Sequence, residues 1–438
     1  MLVSITAVVF VFLVNIKDEK FKQIPDLSGM KDKVDKPDNA YYAIAGFNAA
    51  ASENMHVMGY KVIQKFERYT KDKDDFSFKV EQIEKAGGLN FEGETNVLCK
   101  PHNGVQCLKK VVKNRQAILA LKQKNIHLYN RYRALLGYSK YKEDSFYIAA
   151  WSDVLTLHHL HMNIVALTWL EGNRAKATAM LAESIRFGRM MFDNSDLLIN
   201  HLVATAMYRI SLKNYEELRG ACKDKDCTAL DRTIFSQKAL SKNAICLRGS
   251  FYSELEYLKR ALVKIRQNGL AGESVFLASD GQLVGIGNKY FLQPGATYNT
   301  VFDLYQMILK SCDLELHEVI PYLKRKETDL VYTFPWYSYV YNPVGKYQLG
   351  KTDAGPFWLS SYIYTMVELE AYQRLLRLQA LIENKKLRRA DVAEFLNNQP
   401  ASLKNPYTQA AFVFNENNTS ISYTDHQMKT VSIHLRTL

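Results

Sequence analysis

The side chains with most capacity for chemistry in this sequence are Asp153, His158, His159 and His161, with Glu171 beyond them and His201 in a later stretch. His158 and His161 are three residues apart and share a helix face, so together with His201 they could hold a transition metal. The pattern His-Glu-x-x-His is absent, and no carboxylate sits at the spacing such a site needs. The histidines are therefore expected to be satisfied or exposed side chains, and no metal or cofactor is expected.

Acid–base hydrolysis needs two carboxylates converging on a cleft. Glu183-Ser184 and Glu254 resemble the acid of helical cell-wall lytic enzymes, but the glycine-rich motif that should follow is missing. Gly285-Ile-Gly287 lacks a third glycine at Tyr290 and opens no clear helix after a strand, which argues against dinucleotide binding. No Gly-x-Ser-x-Gly or Walker loop occurs.

The most unusual segment is aromatic. Tyr332, Phe334, Trp336, Tyr337, Tyr339 and Tyr341 place six rings within ten residues, enough to stack on sugars or bases or to form an interaction patch. These six are the candidate binding residues. The alternative is a loop whose rings pack on the core while their hydroxyls reach water.

Of the six cysteines, four form close pairs in loop-like sequence, Cys99 with Cys107 and Cys222 with Cys227. Short polar loops closed in this way point to disulfides, with free thiols and a metal site as the alternatives. Cys246 and Cys312 fall in helical patterns and are expected to be small buried hydrophobes. Disulfides would place the body in an oxidising compartment.

Residues 1–16 carry no charged side chain and are followed at once by Lys17, Asp18, Glu19, Lys20 and Lys22. At 1.5 Å per residue the run spans roughly 24 Å, somewhat short of a ~30 Å hydrocarbon core. With no small-x-small cleavage site after Val14, it reads as an uncleaved anchor. The lysines that follow favour a cytoplasmic body by the positive-inside rule, whereas the cysteine pairs favour an outward one. The expectation is an outward body in a single-pass protein of the cytoplasmic membrane.

These groups must be positioned by helices. A chain of 438 residues with 47% hydrophobic content can fill sizeable cores, and its ten prolines and 21 glycines leave long stretches unpunctuated. Helical spacing predicts elements over 108–136, 146–170, 174–192, a stretch through Ile199 and Ile210, 228–267, 297–325, 360–383 and 388–397. Asp193-Asn194-Ser195-Asp196 offers N-cap chemistry to the stretch through Ile199 and Ile210. Ala411–Phe414, Ser420–Tyr423 and Thr430–Leu435 alternate like strands. The expected fold is mainly α, a helical bundle or irregular helical-repeat array with a small C-terminal β element. Its parts are an anchor (1–16), a tether (17–40), an irregular region holding the first cysteine loop (41–110), a helical body (111–400) and a β tail (401–438).

Asn39-Ala-Tyr-Tyr-Ala-Ile-Ala-Gly-Phe47, together with Leu403-Lys-Asn-Pro-Tyr-Thr408 before the β tail, resembles an uncharacterised family of N-terminally membrane-anchored bacterial envelope proteins. The resemblance covers the two ends and the helical texture between them, and implies no reaction. The 57 Lys and Arg against 45 Asp and Glu suit anionic surfaces, but the basic residues are spread over helix faces and nucleic acid is not the expected partner. The sequence thus points to a membrane-anchored, outward-facing scaffold or binding protein of the cell envelope, with an envelope protein or a glycan as partner. An envelope enzyme acting on cell-wall material is the alternative.

Overall fold

The computed structural model describes residues 14–15, 17–24, 38–72, 88–101, 107–147, 149, 151–222, 225–268, 291–327, 340–351 and 357–435. The fold is mainly α with a small antiparallel sheet near the C-terminus. Two compact units are present, one of residues 1–32, 69–77 and 246–364, the other of 33–68, 78–245 and 365–438.

The larger unit opens with α1 (Ala40–Ala45), every residue of which is buried. Asn39 caps it, its side-chain oxygen accepting from Tyr41 N at 3.1 Å and from Lys142 N at 3.0 Å. α2 (Met55–Asp72) crosses α1 so closely that a Cβ on Gly59 would lie 1.7 Å from the Tyr42 carbonyl. Residues 41–110, irregular by sequence pattern, thus contain an 18-residue helix. The stretch 108–136, expected as one helix, is three: α3 (Cys107–Lys113), α4 (Arg115–Lys124) and α5 (Ile126–Leu135), interrupted at Asn114 and Asn125. Arg131 of α5 gathers the carbonyls of Phe47, Ala49, Ala50 and Glu53, satisfying a loop that no helix or strand would.

The centre of this unit is α6 (Trp151–Leu170), α7 (Arg174–Asn194) and α8 (Leu198–Ala221), joined by short turns that make neighbours antiparallel. α6 is apolar on nearly every side and buried accordingly. Gly172 adopts φ 88° in the first turn, a left-handed conformation that suits glycine. α7 meets α8 where a Cβ on Gly188 would come within 3.1 Å of the Tyr208 backbone. The N-cap chemistry expected from residues 193–196 is supplied from elsewhere. Asp193, Asn194 and Ser195 bond back to Arg189, Met190 and Met191 of α7. It is the buried Glu143 carboxylate that accepts from the backbone N–H groups of Asp196 and Leu197 at the start of α8. α9 (Lys225–Phe235) and α10 (Lys242–Ile245) follow.

The smaller unit is built on α11 (Arg248–Asn268) and α12 (Pro294–Leu309). One end of the pair is closed by the Cys246–Cys312 disulfide and by Arg248, 2.8 Å from Asp313; at the other, Arg266 donates to Gln293 at 2.8 Å. The two helices therefore run antiparallel. α13 (Leu316–Glu327) and α14 (Pro343–Lys351) follow.

α15 (Phe357–Asn384) contains the 364/365 boundary between the units. In the larger unit its Glu383 joins Asp231 of α9 around the buried Arg219 of α8, at 2.7 and 2.8 Å. A short α16 (Val392–Asn397) leads to the meander β1 (Val413–Asn415), β2 (Ser420–Thr424) and β3 (Thr430–His434), with Ile421 opposite Ile433. No helix among the described residues is long and apolar enough to cross a membrane, and residues 1–13 and 16 of the expected anchor lie outside the described residues.

Candidate functional site

Polar side chains from distant parts of the sequence interlock in the smaller unit, around Asn15 and Asn342. Asn15 donates to the Val340 carbonyl at 2.8 Å, accepts from Asn342 N at 2.8 Å, and offers its own carbonyl to the Gln293 amide. Asn342, in the left-handed region at φ 52°, accepts from Gln293 N at 2.9 Å and donates to Thr297 Oγ1 at 2.9 Å. Asparagine tolerates that conformation better than most residues because its short amide bonds locally.

Residues 17–24, expected as part of a tether, lie along α12. Asp18 accepts from Gly295 N at 2.8 Å and Ala296 N at 3.2 Å, placing a carboxylate on the orphan donors and positive dipole of that helix start. Asn299 then treats the segment as a strand partner would, accepting from Lys22 N at 2.8 Å and donating to the Lys20 carbonyl at 3.0 Å. Lys22 pairs with Asp303, and Phe21 meets Tyr298 edge to face at 5.3 Å. Gly295 is required for this approach, since a Cβ there would sit 1.9 Å from the Glu19 carbonyl. Residues 25–37 lie outside the described residues.

Of the aromatic candidates, Tyr341 adjoins this knot and is half-buried, its phenol pushed up to about 12 by burial and then by Glu19 and Asp18. Tyr332, Phe334, Trp336, Tyr337 and Tyr339 lie outside the described residues, as do Gly285, Gly287 and Tyr290.

The histidines do not converge on a metal, and no group of three or more ligating side chains exists among the described residues. His158 meets Tyr132 and Ser211, while His161 meets Tyr129 at 3.0 Å. His201 packs on Phe192 with ring centroids 4.6 Å apart. Burial pushes His158 down to about 3 and His159 and His201 to about 4, and holds His161 well below its ordinary value. His158, His161 and His201 are neutral core side chains, and His159 is half-buried. Asp153 accepts from Asn48 at 2.6 Å, and Glu171 pairs with Arg115 at 2.6 Å.

Glu183 pairs with Arg133 at 2.9 Å, and the buried Ser184 hydroxyl donates to Met180 of its own helix. Burial alone pushes the half-buried Glu254 up to about 6. Glu143 is pushed by burial up to about 7, with the donors Asn200 and Tyr141 pulling it down.

All six cysteines are paired. Cys99 with Cys107 and Cys222 with Cys227 show Cα separations of 5.4 and 5.7 Å, and the structure adds Cys246 with Cys312 at 5.4 Å. The last two, expected as buried apolar thiols, are buried but bonded. Each flanks a helix end, and the antiparallel packing of α11 and α12 brings those ends together.

Asn15, Asp18, Asn299 and Asn342 went unread because each works on an element far away in sequence. The signal was the Pro-Gly start of α12, which leaves room for a foreign carboxylate. No family model, curated protein or solved structure matches the chain.

Proposed function

We propose that the protein is a helical scaffold or binding component of the cell envelope, held to the cytoplasmic membrane by residues 1–16 with its body outside. The observation that carries this reading is the complete pairing of its cysteines. Three disulfides persist where the surroundings are oxidising, and glutathione-buffered cytosol opposes them. The uncharged run at 1–16 and the resemblance to anchored envelope proteins support the same compartment. An envelope protein or a glycan is the partner class this implies.

Fractionation, intact mass and thiol alkylation of the full chain test the reading together. Protein in the membrane fraction, with residues 1–16 retained and thiols alkylated only after reduction, is expected. A freely soluble protein, or thiols alkylated at once in the freshly isolated chain, would defeat it.

One feature favours the second reading, an enzyme acting on cell-wall material. The Glu254 carboxyl, raised by burial to about 6, keeps its proton to a higher pH than an ordinary carboxyl does, the direction a general acid needs. Wall polymer hydrolysis lost in Glu254→Gln would establish it, and equal inertness of both proteins would remove it.

A further inference from the structure

We infer that residues 15 and 17–24 are a clamp holding the smaller unit flush against the membrane surface, and that the exposed Lys17, Lys20 and Tyr347, with the half-buried Lys346, contact anionic phospholipid headgroups. This rests on the anchoring role proposed above for residues 1–16.

Covalent geometry carries the first step. Val14 is the last strongly apolar position but one of the N-terminal run, and the next residue, Asn15, is buried and bonded to Val340, Gln293 and Asn342. Consecutive Cα atoms are about 3.8 Å apart. Where the run leaves the hydrocarbon, then, the fold has already begun. A free tether over 17–40 would have let the body stand as much as ~80 Å away. Asp18 on the start of α12, Asn299 on the Lys20–Lys22 backbone and Lys22 on Asp303 remove that slack over residues 17–22.

Charge carries the second. Each acid of the segment is tied to protein: Asp18 meets the α12 backbone, and Glu19, though exposed, accepts from Asn299 at 2.9 Å. Lys17 and Lys20 are exposed. Lys346 lies close enough to Glu19 to feel its charge, and the neighbouring Tyr347 ring is 54% exposed. Cations beside an exposed amphipathic ring suit an anionic headgroup layer, where the ring sits at the interface and each cation gains from the surface potential.

α12 supplies an internal ruler. Its start holds the clamp, and Lys310, exposed, follows its other end, so 16 residues separate the two by about 24 Å. With all native cysteines paired, a fluorophore on Tyr347→Cys or Lys310→Cys labels a single position. The full chain is reconstituted in phosphatidylethanolamine vesicles containing phosphatidylglycerol and a headgroup-attached nitroxide quencher. Quenching at 347 is expected to exceed that at 310 by threefold or more. Replacing phosphatidylglycerol by phosphatidylcholine should lower the 347 signal about twofold. Gly295→Ala adds a Cβ against the Glu19 carbonyl while leaving α12 a better helix former, so it should free the segment and bring 347 down to the 310 level with the protein still sedimenting with vesicles. Asp18→Ala, which removes the cap without adding bulk, should do the same in part. Equal quenching at both positions in vesicle-bound wild-type protein, or a 347 signal unmoved by both variants, would overturn the clamp and leave the anchor standing. Indifference to phosphatidylglycerol would overturn the anionic contact. Failure to sediment with vesicles at all would overturn the anchor itself.

Discussion

The hydroxyl of Tyr132 lies 2.6 Å from Nδ1 of His158, and both side chains are completely buried. Burial pushes the phenol well above and the imidazole far below their ordinary values, so both are neutral. Because the Ser211 hydroxyl is spent on a backbone carbonyl, the ring proton belongs on Nε2, which faces Ser211 Oγ at 3.4 Å, and Nδ1 accepts from the Tyr132 hydroxyl. Ser211 in turn donates to the Met207 carbonyl at 2.9 Å. Tyr132→Phe strands a buried acceptor and should cost about 1–3 kcal/mol in denaturant unfolding, with the helical circular dichroism unchanged.

His201 should make the fold acid-sensitive. Its folded value of about 4 lies below the ~6.5 of an unfolded chain, so the folded state binds fewer protons between the two. The stability it permits is complete above ~6.5 and is lost as pH falls toward 4. Both ring nitrogens are buried without a hydrogen bond, and only the Ser195 backbone favours the charged form. His201→Leu should raise the unfolding free energy at pH 5 by roughly 2 kcal/mol more than at pH 7.5. Parallel stability curves for the two proteins across that range would contradict this.

Glu143→Gln should destabilise the fold by about 1–3 kcal/mol although it conserves shape. One carboxylate oxygen accepts from two backbone N–H groups, the other from Tyr141 at 2.7 Å and Asn200 at 2.8 Å. Asn200 cannot turn over to oblige an amide, because its oxygen accepts from Trp151 Nε1 at 2.7 Å. A Gln NH2 therefore confronts a donor whichever way it points. Asn200→Asp in the same background should not rescue it, since the Trp151 bond would survive only at the cost of a newly buried charge. Urea melts of the single and double variants would measure both effects.

The three disulfides should differ in worth. The Cys246–Cys312 bridge spans 66 residues, against 8 and 5 for the others. Loop-closure entropy assigns about 4 kcal/mol to the first and about 2 to each short one. Paired Cys→Ala variants, followed by thermal melting, should rank Cys246/Cys312 as the most damaging loss.

The helical body and its terminal sheet were legible because apolar periodicity and turn residues are local properties. Ile199, Val203, Ala206 and Ile210 announce α8 without reference to anything else in the chain. The two tight cysteine loops were legible for the same reason. What stayed hidden was capping at long range. Asp18 serves a helix start 277 residues away and Glu143 one 54 residues away, and no spacing rule connects them. The breaks at Asn114 and Asn125 were hidden too, since asparagine interrupts a helix only where its side chain finds outside work, as Asn125 does on Glu92. Charged residues at 17–24 suggested solvent because the sequence shows what they are and not which backbone they meet.

Taken in order of synthesis, the cysteines pair first with second, third with fourth and fifth with sixth. A chain emerging amino end first would meet each correct partner before the next cysteine arrived. Of the many ways six thiols can join, the native set is the one that prompt oxidation of the emerging chain would produce by itself. Maturation of this protein should accordingly depend on a thiol oxidant and be indifferent to the isomerase that repairs crossed bridges.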